Sequence, residues 1–358
     1  MKRFYLTSLF VSSLVPCQAL DIQLNLSPGL QGNAAAVAAF ERAAANWEAV
    51  LADDIVVNLD AVLEDLSANA DPSDDNVLGS TSSSTLGAGY DVIRTRWVAD
   101  GGSNLIPTAV QFSANLPANF NNGDDTNFGL SGNMVATSAN LKAMGFTGID
   151  GITGGVDGTV TFNSNFNFDY DNSDGVSPGL TDFETVATHE IGHALGFVSV
   201  VDSVDGAIRS YDQFVASGGT EGSDTTGSQF PVTPVDILRF ADANLPGDDL
   251  AFTNGERELA PGVAVSFVEP DTQASFSAST GAFNGDGRQA SHFEDDDITG
   301  DTIGIMDPTL ASGVAYGISP SDLMIFRSIG YELTAVPEPT SSVLLGAGLL
   351  IGMRRRRA

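Results

Sequence analysis

The chain has 358 residues, 42% of them hydrophobic, enough for a sizeable core in one or two domains. Its net charge is −31, and because six of the 15 basic residues lie in the two terminal segments, residues 20–335 carry nine basic against 45 acidic side chains, a balance of −36. That leaves no basic patch for nucleic acid or anionic lipid. The lone cysteine, Cys17, excludes a disulfide framework and thiolate metal ligands once the first 19 residues are removed.

Residues 1–19, "MKRFYLTSLFVSSLVPCQA", place Lys2 and Arg3 before an apolar run that ends at the small residue Ala19, the layout of a secretory signal peptide. Pro16 before Cys17 argues against a lipid-anchored cysteine. Next, "NAAAVAAFERAAANWEAVL" sets Val37, Phe40, Ala44, Trp47 and Leu51 at steps of three and four, one stripe of a helix. "DDIVVNLDAVL" alternates Ile55, Val57, Leu59 and Ala61 as a half-buried strand does. Residues 67–89 are polar and turn-rich and read as a long loop. In "TVTFNSNFNF", Val160, Phe162, Phe166 and Phe168 point one way and Thr161, Asn163, Asn165 and Asn167 the other. This strand is either a packed strand or an edge on which an extended peptide adds a further strand. In "DYDNSDG", Asp169, Asp171 and Asp174 offer oxygen ligands for calcium, but the spacing departs from that of an EF-hand and a solvated acidic turn is the preferred reading.

"THEIGHALGF", residues 188–197, carries the chemistry. Thr181 and Glu184 form a capping-box pattern, so a helix is expected to start near 181 and to stop at Gly196. His189 and His193 then stand on one face about 6 Å apart along the axis, and two imidazoles so placed reach one zinc ion. Glu190, rotated about 100° from His189, is free to act as general base on zinc-bound water. The chain has only three histidines and two are here. The tenth position after His189, where a compact motif puts a third ligand, is Ser199. Asp202 and Asp205 are nearby alternatives, and Glu221, Glu256, Glu258 and Glu269 are rival carboxylates. His292, in "QASHFEDDD", is the favoured third ligand because imidazole is the commonest protein metal ligand.

"TPVDILRF" at 233–240 and "SPSDLMIFRSIG" at 319–330 both open with a hydroxyl residue and proline, as helices do, and the second ends at Gly330. At the C-terminus, an apolar stretch from Val343 to Met353 precedes Arg354, Arg355, Arg356 and Arg357. It is short for a relaxed bilayer span of about 20 residues, and the arginines would hold that end on the cytoplasmic side. With Pro337, Glu338 and Pro339 ahead of it, the segment resembles the PEP-CTERM sorting tail of exported bacterial proteins. That resemblance implies processing by an exosortase-type membrane enzyme, with membrane association only transient and through the tail, and display at the cell surface or in the extracellular matrix. A plain C-terminal anchor is the alternative.

"HEIGHALGF", the long insertion, "SHFE" and "GIMDP" together resemble the leishmanolysin-like metzincin zinc proteases, and a group of PEP-CTERM-sorted bacterial metalloproteases. The resemblance implies one catalytic zinc on His189, His193 and His292, Glu190 as catalytic base, and Met306, 14 residues after His292, in a Met-turn beneath the metal. The family's disulfides are absent, and Pro308 stands where some metzincins keep a tyrosine. The expected fold is α+β, zincin-like: an N-terminal twisted sheet with the active-site helix over 20–198, and a mostly irregular subdomain over 199–335 that brings the third ligand. A signal peptide occupies 1–19 and a sorting tail 336–358. The expected function is zinc-dependent endopeptidase action on a protein or peptide substrate. The alternative is a non-catalytic surface or matrix protein on the same fold.

Overall fold

The apolar stripe read from the first helix is buried. In the computed structural model, which describes residues 20–66, 77–108, 118–119, 128–217 and 229–334, helix α1 (Ala34–Val50) follows strand β1 (Asp21–Leu26) and buries Phe40, Ala44 and Trp47. Asn33 caps its first turn by accepting from Ala36 N–H. Strand β2 (Val56–Glu64) buries Val57, Leu59 and Ala61, as its period-two pattern requires. The signal-peptide segment and the tail from 336 onward lie outside the described residues.

The turn-rich segment 67–89 is not all loop. Its second half forms two short strands, β3 (Gly79–Ser83) and β4 (Thr85–Gly89). Their sequence is glycine, serine and threonine with almost no apolar residue, so the hydrophobic pattern that marks a strand is missing. Tertiary pairing makes them strands instead. Helix α2 (Tyr90–Ala99), strand β5 (Gly129–Thr137), helix α3 (Ser138–Ala143) and strand β6 (Gly158–Asn163) follow. The largest sheet has the order β1-β2-β6-β3; β1, β2 and β6 run parallel, and β3 closes the edge antiparallel to β6. Strand β6 is therefore interior, the packed strand of the two readings the sequence left open, and the edge beyond it is β3. Strand β6 also stops at Asn163; Phe168 belongs to a separate two-residue strand, Phe168–Asp169.

Helix α4 (Phe183–Leu195) lies against this sheet. Its N-cap is Asp182, whose carboxylate accepts from Thr185 N–H at 2.9 Å, rather than the Thr181/Glu184 box. Glu184 turns outward to helix α1, accepting from Arg42 Nε at 2.7 Å and Asn46 Nδ2 at 3.0 Å, and Trp47 Nε1 donates to Thr188 O at 2.8 Å. Helix α4 ends at Gly196, whose φ of 124° suits glycine and whose lack of a side chain lets Asn140 pack closely.

Helix α5 (Val201–Ala216) begins the insertion, which continues through strand β7 (Gln229–Val232), parallel to β5 in a three-stranded sheet β7-β5-β4. "TPVDILRF" makes only one 3₁₀ turn before strand β8 (Arg239–Ala241), which pairs with β9 (Val265–Val268); β9 pairs in turn with β10 (Ser275–Ala278), giving an antiparallel sheet β8-β9-β10. Helix α6 (Pro320–Ser328) has the expected Ser319 cap, completed by Asp322 as a reciprocal capping box. The fold is mixed α+β with several small sheets. One apolar cluster runs from Phe40, Trp47 and Phe162 through Ile191 and Phe197 to Phe267, Phe293, Met306 and Phe326. No described helix is long and apolar enough to cross a membrane.

Candidate metal centre

Helix α4 presents His189 and His193 one turn apart, and the segment after strand β10 brings His292 to them across 103 residues of sequence. The three Nε2 atoms form an even triangle, each 3.1 Å from the other two. Every Nδ1 is committed elsewhere, to a backbone carbonyl: His189 to Ile305 O at 2.8 Å, His193 to Phe197 O at 2.8 Å and His292 to Gln289 O at 3.0 Å. A carbonyl only accepts, so each Nδ1 carries the proton and each Nε2 presents a lone pair. Burial holds the His189 imidazolium pKa down at about 4 and that of His193 at about 3, with His292 well below its ordinary value, and at His193 and His292 the neighbouring rings disfavour protonation as well. Three neutral rings thus aim three lone pairs at one point with no proton among them. That arrangement is repulsive unless a cation fills it. Three nitrogens about 2.0–2.1 Å from one zinc ion in a tetrahedral set stand about 3.3 Å apart, and the observed 3.1 Å is close to that. The donor set fits zinc.

The local sequence explains why the rings stay in place. Gly192 sits in the helix between the two histidines, and a methyl group there would come within 2.4 Å of Met306 Sδ. Met306 is fully buried against this notch. Its turn is fixed from helix α6: the buried Asp322 carboxylate accepts from Ile305 N–H at 2.8 Å, Met306 N–H at 3.3 Å and Ser319 N–H at 2.7 Å. Ile305 in turn accepts from His189, so Asp322 orients that imidazole through one peptide unit.

The insertion closes where a compact motif would have put its third histidine. Ser199 N–H donates to Ser291 Oγ at 2.8 Å, 92 residues away, beside His292. The carboxylates weighed as alternative ligands have other work. Asp202 holds the loop before His292, accepting from Ala290 N–H at 2.6 Å and from the Ser291 hydroxyl. Asp205 accepts from the Phe283 and Asn284 amides. Glu258 and Glu269 are buried on their own backbone turns, Glu256 is exposed, and Glu221 lies outside the described residues.

Glu190 faces strand β3, where Thr81 Oγ1 lies 2.7 Å from its Oε2. Burial pushes the carboxyl up to about 7, with the Thr81 hydrogen bond opposing; a dication held among the imidazoles would draw it back down. Among the described residues one acidic group also converges, Asp295, Asp296 and Asp307. Asp169 and Asp171 accept from amides of their own turn and Asp174 is exposed, so the structure does not gather these three into a ligand set.

Sequence reading missed Gly79, Thr81, Gly192 and Asp322. Only Gly192, between the two helix histidines, was open to notice, because a glycine inside a helix costs stability unless close packing needs it.

Residues 335–357 match the PEP-CTERM protein-sorting motif. The chain is an exported, PEP-CTERM-sorted protein. The motif implies processing of the tail by an exosortase and sorting to the cell surface. No curated protein and no solved structure matches the chain.

Proposed function

We propose that this sorted protein is a zinc-dependent endopeptidase of zincin-like architecture. The observation that carries the reading is the triangle of Nε2 atoms with every Nδ1 already bonded, next to a glutamate on the same helix. His189, His193 and His292 would hold the ion, which supplies a Lewis acid for a peptide carbonyl and lowers the pKa of bound water. Glu190 takes a proton from the attacking water and hands it to the leaving amine. Helix α4 keeps that carboxyl one residue from His189, so base and ligand move as one body. The antiparallel edge strand β3 beside helix α4, and Met306 packed under Gly192, support the likeness to metzincins.

Casein hydrolysis by the zinc-loaded protein tests this. Wild type should cleave and lose activity to a chelator. Glu190→Gln should keep its zinc while losing about 10²–10⁴ of the rate. Zinc binding without E190-dependent cleavage would instead favour a non-catalytic surface or matrix protein.

A further inference from the structure

Strand β3 has an unusual inner face. Its residues alternate between half-buried and exposed, and the half-buried set is Gly79, Thr81 and Ser83. All three meet helix α4. A Cβ at residue 79 would stand 3.0 Å from Glu190 Oε1 and 3.1 Å from its Cγ. Thr81 Oγ1 lies 2.7 Å from Glu190 Oε2 and 2.9 Å from Glu190 O. Ser83 Oγ donates to His193 O at 3.2 Å. The strand therefore offers Glu190 a cleared space at 79 and a hydroxyl at 81. The register that fixes both is set by pairing with β6, Gly79 opposite Phe162 and Thr81 opposite Val160.

Resting on the peptidase reading above, we infer that Thr81 is a positioning residue for the Glu190 carboxyl, and that Gly79 keeps the space into which this carboxyl is held. A long glutamate side chain has three torsions to lock, and a general base must meet the proton it takes within hydrogen-bond reach. One hydroxyl proton donated to Oε2 removes the freedom that packing alone leaves. The same hydroxyl has a second acceptor in the Glu190 carbonyl. When the carboxyl takes its proton on Oε1, Oε2 remains an acceptor for the Thr81 hydroxyl, so the tether persists through both halves of the transfer. Threonine suits the role because its χ1 is restricted by branching at Cβ. A hydroxyl is required, whereas the methyl group is not.

The test compares the zinc-loaded protein with its Thr81→Val and Thr81→Ser variants, by casein hydrolysis, zinc content and crystal structure. Thr81→Val keeps size and branching, so the strand stays folded. It should lower kcat by about ten- to a hundredfold, the worth of a hydrogen bond to a charged group, with KM within about twofold and one zinc retained. Its crystal structure should show the Glu190 carboxyl displaced from β3. Thr81→Ser should recover most of kcat and the wild-type carboxyl position. A Thr81→Val protein with wild-type kcat, or with Glu190 unmoved, overturns the inference, as does a Thr81→Ser variant as impaired as Thr81→Val. If wild type cleaves nothing, the peptidase reading fails alone and the carboxyl positions in the two variant structures still decide the role of Thr81.

Discussion

Two clusters of three ligand-capable side chains lie within a few residues of each other, and they are built in opposite ways. Around His189, His193 and His292 the protein satisfies the outer nitrogen of each ring and leaves the inner ones facing only one another. Around Asp295, Asp296 and Asp307 the carboxylates are already used. Asp295 takes the Asp297 amide, the Thr309 hydroxyl and the Arg288 guanidinium. Asp307 takes the Thr309 and Asp296 amides, and Asp296 takes the Thr302 hydroxyl. Proximity of acidic groups is therefore a poor sign of a metal site; unspent lone pairs are a better one. The acidic cluster works as a clasp, tying the segment after His292 to the turn after Met306.

The comparison breaks most sharply at the ligands. His292→Ala should weaken zinc binding by more than about a hundredfold, beyond the cost of an outer hydrogen bond, whereas Asp296→Asn should leave zinc stoichiometry at wild type. Metal analysis of the two purified variants checks both. Loss of zinc from the Asp296 variant alone would reverse the assignment of roles.

A smaller effect is expected beneath the histidines. Gly192→Ala forces a methyl group against Met306 Sδ, and overpacking of this kind costs about 1–3 kcal/mol. Urea unfolding of the metal-free protein should show that loss, and zinc affinity should fall with it. An unchanged midpoint would mean that the notch is not tight.

The smallest effect concerns pH, where the clusters pull in opposite directions. Burial and the neighbouring Asp296 and Asp295 push Asp307 up from 3.8 to about 6. A raised carboxyl contributes stability that is fully present below about pH 3.8 and lost as pH rises through about 6. The histidines run the other way. Their folded-state pKa values lie below the ordinary 6.5, so the metal-free fold loses stability as pH falls from 6.5 through about 4 and about 3. Asp307→Asn should therefore remove one slope and keep the other. The stability difference, wild type minus variant, should decline between pH 4 and 6 in denaturant titrations. A pH-independent difference would show that Asp307 is not buried as its surroundings imply.

How much of this was legible depended on how local the signal was. Helix α1, strand β2 and helix α6 follow from apolar periodicity and caps that each segment carries within itself. His189, Glu190 and His193 follow from spacing on one helix. His292 followed from scarcity, since no other histidine remained. What could not be read depends on partners distant in the chain. Strand β3 has no apolar face to announce it, because its inner residues are chosen to fit beside Glu190 rather than to fill a core. Whether strand β6 is packed or an edge was open in its own sequence, because the answer depends on β3 pairing beyond it. Asp182 displaced Thr181 as cap because Glu184, needed for a capping box, is drawn to Arg42 and Asn46 on helix α1. Asp322 completes the cap that Ser319 announces, but its second task at Ile305 and Met306 is visible only in three dimensions.

X-ray absorption at the zinc edge of the purified, zinc-loaded protein goes to the centre of the account. The expected spectrum has three imidazole nitrogens about 2.0–2.1 Å from the ion, and one of them disappears in His292→Ala. A protein that binds no zinc, or a first shell unchanged by the loss of His292, would contradict it.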